Sequence, residues 1–178
     1  CSSDLKLALF EATQKMMEAE ISQIPNGSYS GEGRVFFDGH HEGSEFTIRV
    51  KITVEDKRIS FDYSETDAQT NGFVNGTYTS SASATLLTFL QMVNPDIPHN
   101  EGMVRPISIS IPEGNLLNAS YPKATTFGNH LCPPNADAII RALSEVIPER
   151  VTVGWNNLLC SLTTGTDAEN VTAFVLYH

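Results

Sequence analysis

Phe46-Thr47-Ile48-Arg49-Val50-Lys51-Ile52-Thr53-Val54, then Glu55-Asp56-Lys57-Arg58, then Ile59-Ser60-Phe61-Asp62-Tyr63 is the passage from which the architecture follows. Apolar side chains fall on every second residue from Phe46 to Val54, so one face of an extended chain is apolar and the other polar. The charged quartet reads as a tight turn, after which Ile59, Phe61 and Tyr63 resume the alternation. Two such runs joined by a turn form an antiparallel hairpin with one buried and one wet face. Asp62 should then point away from Phe61 and Tyr63.

Working outward, a strand is expected from Ser28 to Phe37, and Asp38 to Ser44, with His40 and His41, reads as a polar loop. Before it, Asp4 to Ile24 predicts an amphipathic helix with Ser3 as N-cap and Leu5, Leu9, Ala12 and Met16 on its apolar stripe. Pro25 stops this helix and Asn26-Gly27 makes the turn that follows. After the hairpin, a second helix is expected from Ser80 to Val93, closed by Asn94-Pro95. A strand from Val104 to Ile111 comes next, then a turn at Pro112-Glu113-Gly114-Asn115 and an irregular passage from Asn118 to Asn135. A third helix is expected from Ala136 to Val146, with strands near Val151 to Val153 and from Val171 to Tyr177. Strands and helices without steady alternation predict an α+β fold with a mixed, mainly antiparallel sheet and about three helices. Residues 1–178 read as a single segment, 1–25 being a leading helix and 26–178 an α+β body.

Composition narrows the function classes. The chain has 178 residues, 40% hydrophobic and 18% charged, so it can fill a core and is not a disordered tail. Eleven Lys+Arg against 21 Asp+Glu give a net charge of −10, and no Lys or Arg occurs from Ile59 to Val104. Nucleic acid is thereby excluded as the expected main partner, since phosphate backbones need a basic surface. No apolar run approaches the roughly 18 residues of a membrane span, and no membrane partner is expected. Cys1, Cys132 and Cys160 are widely spaced and odd in number, which favours a reducing, cytoplasmic setting over a disulfide framework. Cys1-Ser2-Ser3 has the look of a lipoprotein start, but a helix follows at once instead of a tether. An N-terminal nucleophile would need a base and a fixed strand behind it. A cut inside a longer polypeptide is the preferred reading, and the apolar ending Ala173-Phe174-Val175-Leu176-Tyr177 agrees with it.

Several polar groups invite chemistry. Among His40, His41, His99, His130 and His178 no pair has HxH or HExxH spacing, so no metal site is expected within the segment. His40-His41, amid Asp38, Glu42 and Glu45, reads as a solvated turn, with adventitious capture of a divalent ion as the alternative. Asp62, Glu65 and Asp67 offer carboxylates after a strand, the plainer reading being a solvent-facing Asp62. Asn71-Gly72-Phe73-Val74-Asn75-Gly76-Thr77 leads into a helix start, where free N–H groups can hold an anion, but it matches neither dinucleotide nor P-loop signatures. Asn75-Gly76-Thr77 and Asn118-Ala119-Ser120 fit the glycosylation pattern by chance in a chain rich in Asn, Ser and Thr. Polar groups from separated loops and strand ends can converge on a ligand. On that ground Asp62 and His130 are the candidates for orientation or proton transfer, and Asn71, Asn75, Asn100, Arg105 and Asn129 for substrate binding. The asparagines nearest glycines are also suited to holding backbone turns.

A series of ordered motifs carries a resemblance. Phe61-Asp62-Tyr63-Ser64-Glu65-Thr66, then Gln69, Gly72 and Asn75, then Pro95-Asp96-Ile97-Pro98-His99-Asn100-Glu101-Gly102, resembles the hydantoinase B family, which includes subunits or domains of 5-oxoprolinase, N-methylhydantoinase and the acetone and acetophenone carboxylases. The similarity continues through Arg105-Pro106-Ile107, Pro112 to Asn118, Pro122, His130, Ala142-Leu143 and Pro148-Glu149-Arg150. The resemblance implies a B-type subunit in an ATP-dependent system acting on a small cyclic amide or ketone. In such a system a hydantoinase A-type subunit or domain phosphorylates the substrate and the B-type partner completes hydrolysis or carboxylation. ATP with a divalent metal is implied for the complete enzyme, and no cofactor within these residues, because the family's metal-binding NDP...GGTH-type region is not among them. The segment is then expected to contribute an active-site wall and an interface to its partner and to the remainder of its polypeptide. A non-catalytic binding or scaffolding module of the same fold is the alternative.

Overall fold

The computed structural model describes residues 2–152, 154, 162–167 and 172–177. Its centre is the expected hairpin: β2 (Phe46–Glu55) pairs antiparallel with β3 (Arg58–Asp62), Ile52 opposite Phe61 and Val54 opposite Ile59. Asp56, at φ 53°, makes the turn, and Asn26 clamps it, donating to the Asp56 carboxylate at 3.1 Å and accepting its N–H at 2.8 Å. On the outer side β1 (Gly27–Val35) pairs antiparallel with β2, and β4 (Ile107–Ser110) runs parallel to β3, giving the order β1-β2-β3-β4. The mixed, mainly antiparallel sheet and its helices make this an α+β fold, as the pattern predicts.

One face of the sheet is the core. Ile48, Val50, Ile52, Val54, Ile59 and Phe61 are buried on it, and Phe61 meets Phe89 edge-on at 5.7 Å. Phe89 belongs to α2 (Tyr78–Leu90), capped by the Thr77 hydroxyl, which accepts from Ser80 N. On the other face Arg49 bridges Glu32 at 3.4 Å and Asp67 at 2.7 Å, the wet side of the pleat.

Helix α4 (Cys132–Leu143) lies across the core face of β1. The approach is backbone to backbone: a Cβ on Gly31 would sit 2.0 Å from Ala138 O, and one on Gly33 1.8 Å from Pro134 O. Only glycine fits there. Helix α4 starts four residues before the expected Ala136, because Pro133 and Pro134 occupy its first turn, where no N–H is needed.

Other departures have similar local causes. The leading helix α1 is Ser2–Ile21, so Ser3 lies inside it rather than capping it, and it ends before Pro25. Its buried series is Thr13, Met17 and Ile21, while Leu5, Leu9 and Met16 of the expected stripe are exposed. Only the second half of α1 reaches the core, and the leucines of the first half do not steer it. A short helix, α3 (Glu101–Val104), precedes β4 and shortens the expected strand, because Asn100 caps it by accepting Gly102 N at 2.8 Å. Val151 and Thr152 are irregular rather than extended, and Val153 and Val171 lie outside the described residues. A further antiparallel pair joins β5 (Leu162–Asp167), which the sequence pattern does not predict, to β6 (Thr172–Tyr177).

Candidate functional site

The hydrogen-bond pattern makes β1 and β2 join through a loop at the same sheet end from which β3 and β4 lead out. Three connections therefore meet there: residues 36–45, 63–77 and 111–131. They are laced by main-chain bonds, Phe73 N to Asp38 O and Phe127 N to Phe73 O, each 3.0 Å. Side chains complete the lacing. Asn75, fully buried, accepts Thr70 N at 2.7 Å and donates to the carbonyls of Thr70, Gly72 and Ala124 at 3.1, 3.2 and 2.9 Å.

Asp38 is the centre of this cluster and is fully buried. Its Oδ1 accepts the N–H groups of His40 at 2.9 Å and His41 at 2.7 Å, and its Oδ2 accepts His41 Nδ1 at 2.9 Å and the Thr70 hydroxyl. Burial alone would raise the carboxyl's pKa. The donors from Thr70, His41 and His40 outweigh it and hold the group well below the usual carboxylate range. The loop that reads as a solvated turn is thus anchored on a buried anion. An Asp-Gly-His-His sequence is a signal for an Asp that accepts N–H groups two and three residues on. Its burial is not legible locally, because Thr70 is 32 residues away.

Around this anchor lies an aromatic tier. Phe73 and Phe127 are 5.3 Å apart, and His130 stands edge-on to Phe127 at 5.2 Å. His130 opens on a cavity of about 200 Å³ shared with Phe36, Phe37 and Val74. Asn129 lines a neighbouring hollow of about 320 Å³ with Thr77, Ser80, Thr125 and Thr126, at the start of α2. Asn71, exposed, receives Lys123 Nζ. The cluster thus brings together Asn71, Asn75, Asn129 and His130 of the residues singled out in the sequence.

It does not gather the others. Asp62 is on the outward face of β3, opposite buried Phe61 and Tyr63, and accepts Ser64 N at 2.9 Å. His130 sits before α4, on the sheet's other side, so Asp62 and His130 do not face one another. Asn100 ties α3 to α1, donating to the Thr13 hydroxyl at 2.9 Å, and Arg105 lies over the Phe10 ring at 5.7 Å. Asp67 is engaged by Thr47 N and Arg49, both at 2.7 Å. Of the two glycosylation-pattern asparagines, Asn75 is buried and Asn118 donates to Ile111 O at 2.9 Å. Cys132 lies in an apolar groove between α2 and α4, where burial pushes its thiol's pKa up and keeps it neutral. Cys1 and Cys160 lie outside the described residues.

Among the described residues, no group of three His, Cys, Asp or Glu side chains is arranged to hold a metal ion, and no helix is long and apolar enough to cross a membrane.

Known proteins are similar to this chain in sequence and in fold. A protein described as the B-type subunit of a D-/L-hydantoinase in Pseudomonas sp. (strain NS671) is 30% identical over 91% of this chain and 29% of its own length. The beta subunit of the caprolactamase of Pseudomonas jessenii is 29% identical over 96% of this chain and 29% of its own. The crystal structure of the ATP-dependent caprolactamase from that organism superposes with a TM-score of 0.77 and 26% identity, over 94% of this chain and 29% of that one. The nucleotide-free acetone carboxylase structure, at 17% identity and the same TM-score of 0.77, covers 92% of this chain and 24% of its own and shares the fold. The chain spans less than a third of the length of the two Pseudomonas relatives, which are named as subunits. The sequence pattern of the Hydantoinase B/oxoprolinase family matches residues 4–178, and the chain belongs to that family.

Proposed function

We propose that this chain is the part of a B-type subunit that forms one wall of the active site of an ATP-dependent cyclic-amide hydrolase or a related ketone carboxylase, working in the cytoplasm. The observation that carries the reading is the loop cluster: a buried anion and a buried amide fix three connections, and imidazole and aromatic groups stand at its edge. Scaffolding alone would be served by the core. A fixed polar cluster with exposed imidazoles at a strand-end rim is the type of place where ligands are handled.

Among the described residues no group of three His, Cys, Asp or Glu side chains is placed to hold the divalent metal that accompanies ATP. ATP and its metal are assigned to the hydantoinase A-type partner and to the remainder of the polypeptide. Exposed apolar side chains mark surfaces for such partners: Leu5, Leu7 and Leu9 on α1, Phe36 and Phe37 beyond β1, and Leu87 on α2.

The test uses the intact polypeptide carrying this sequence, co-purified with an A-type subunit. Hydantoin, caprolactam, 5-oxoproline and acetone are offered with ATP, and ADP release and product are followed. Turnover that falls at least about 10-fold in His130→Gln, with the fold kept by circular dichroism, supports the wall. A complex that turns over none of the four compounds, or is indifferent to changes across the cluster, supports the scaffolding alternative, which the internal engagement of Asn75 and Asn100 favours.

A further inference from the structure

We propose that His41, held on Asp38, is the acid–base residue this chain contributes to ring opening, with Phe73 as the ledge for the substrate ring; the inference rests on the cyclic-amide reading above. An ionised carboxylate only accepts hydrogen bonds, so the 2.9 Å contact between Asp38 Oδ2 and His41 Nδ1 makes Nδ1 the donor. The neutral ring is then fixed with its lone pair on Nε2. Carboxylates behind a histidine serve the same purpose at metal centres and in hydrolase triads, where they set tautomer and orientation.

The carboxylate is itself fixed. Two main-chain N–H groups and the Thr70 hydroxyl hold it, and Thr70 is held in turn by Gly72 N at 3.1 Å and by Asn75. The His41 side chain is 53% exposed while that of Asp38 is 0% exposed, so the anchor is dry and the working end reaches outward. The His40 ring stands edge-on at 4.5 Å and closes one flank. Two residues before His41, Gly39, at φ 85°, lets the Phe73 ring lie where a Cβ would come within 2.0 Å of it. Phe73 is 36% exposed, a partly open aromatic face packed on the backbone of the loop that carries His41.

A cyclic amide laid against Phe73 has an apolar ring for that face and a carbonyl carbon for attack. In the ATP-dependent reading the A-type partner transfers a phosphoryl group from ATP to the amide oxygen, leaving the former carbonyl carbon bonded to the phosphate oxygen and double-bonded to the ring nitrogen. His41 Nε2 takes a proton from a water as the water oxygen bonds to that carbon, and the imidazolium gives the proton to the ring nitrogen. The new hydroxyl then passes its proton through His41 to the nitrogen as the C–N bond breaks, leaving an amine and an acyl phosphate. A second water attacks the acyl carbon and the bond to the phosphate oxygen breaks, so ATP and two waters give ADP, phosphate, a carboxylate and an amine.

Two measurements test this. In the intact polypeptide, imidazole ¹⁵N shifts, assigned by their loss in His41→Gln, should show the neutral His41 ring protonated on Nδ1 and bare on Nε2. The opposite tautomer overturns the proposal. In the intact polypeptide with its A-type partner, supplied with ATP and hydantoin, His41→Gln should lower kcat about 100-fold or more with KM within about threefold. His99→Gln, a loop histidine outside the cluster, should leave both unchanged. Hydantoin turnover that survives His41→Gln overturns the base alone. A complex inert toward cyclic amides overturns the underlying reading and the base with it.

Discussion

The sheet with α4 and the loop cluster at its end are both tightly built, but by different means. The first is held by periodic apolar side chains and by two glycines that let a helix backbone touch a strand. The second is held by Asp38, Thr70 and Asn75, whose side chains replace the ladders that irregular chain lacks. Burial of the first kind is non-directional, and many sequences satisfy it. The second kind is directional and fails when one partner changes.

The largest test of this difference is at Gly33. A Cβ there would lie 1.8 Å from Pro134 O, which is helix main chain and cannot step aside. Gly33→Val should cost about 3 kcal/mol or more and displace α4, since overpacking against backbone has no rotamer to relieve it. Urea unfolding followed by circular dichroism checks this. A variant as stable as the parent would mean that α4 is not seated on β1 as described.

What is legible in the sequence divides along the same line. The hairpin from Phe46 to Tyr63 is readable because its period of two is local, and α2 is readable as a helix, although it runs Tyr78–Leu90 and ends three residues before the Val93 at which Asn94-Pro95 is expected to close it. Pro133 and Pro134 hide the start of α4, because proline signals both the break of a helix and its first turn. At the loop end, Asn75 reads as a ligand group with turn-holding as its plainer duty, and the structure shows it holding turns. Asp38 reads as solvated and is not. No local pattern ties residue 38 to residue 70, and a polar residue's burial depends on partners that only the fold supplies. The family is legible where single residues are not, because an ordered series of motifs is far more specific than any one of them.

A second, smaller effect sharpens the contrast. Asp38→Asn keeps the shape but replaces the anion, and at pH 7 it should cost about 2 kcal/mol, the loss expected when bonds to a charged acceptor weaken. The sign with pH follows from the depressed native pKa. Asp38 adds its full stability well above the unfolded carboxyl's pKa of about 3.9, and that contribution drains away as pH falls below it towards the native pKa. Urea midpoints of parent and variant should therefore be well separated at pH 7 and draw together progressively as pH falls below about 4. A gap that stays constant across that range would mean Asp38 is not the charged anchor of the cluster.

The smallest effect concerns the half of α1 that belongs to neither region. Leu9 falls on the stripe that helical spacing predicts to be buried, yet it is 51% exposed, whereas Met17 is 0% exposed. Within this chain, Leu9→Gln removes little buried apolar surface and keeps a good helix former, so stability should move by no more than about 0.5 kcal/mol. If the leucines of the first half serve as a surface for the remainder of the polypeptide, the same change in the intact protein should cost distinctly more, about 1–2 kcal/mol for a side chain withdrawn from contact with water. Equal and negligible losses in both would leave Leu5, Leu7 and Leu9 as ordinary exposed residues. A large loss in the 178-residue chain itself would restore the stripe read from the sequence and place the first half of α1 against the core.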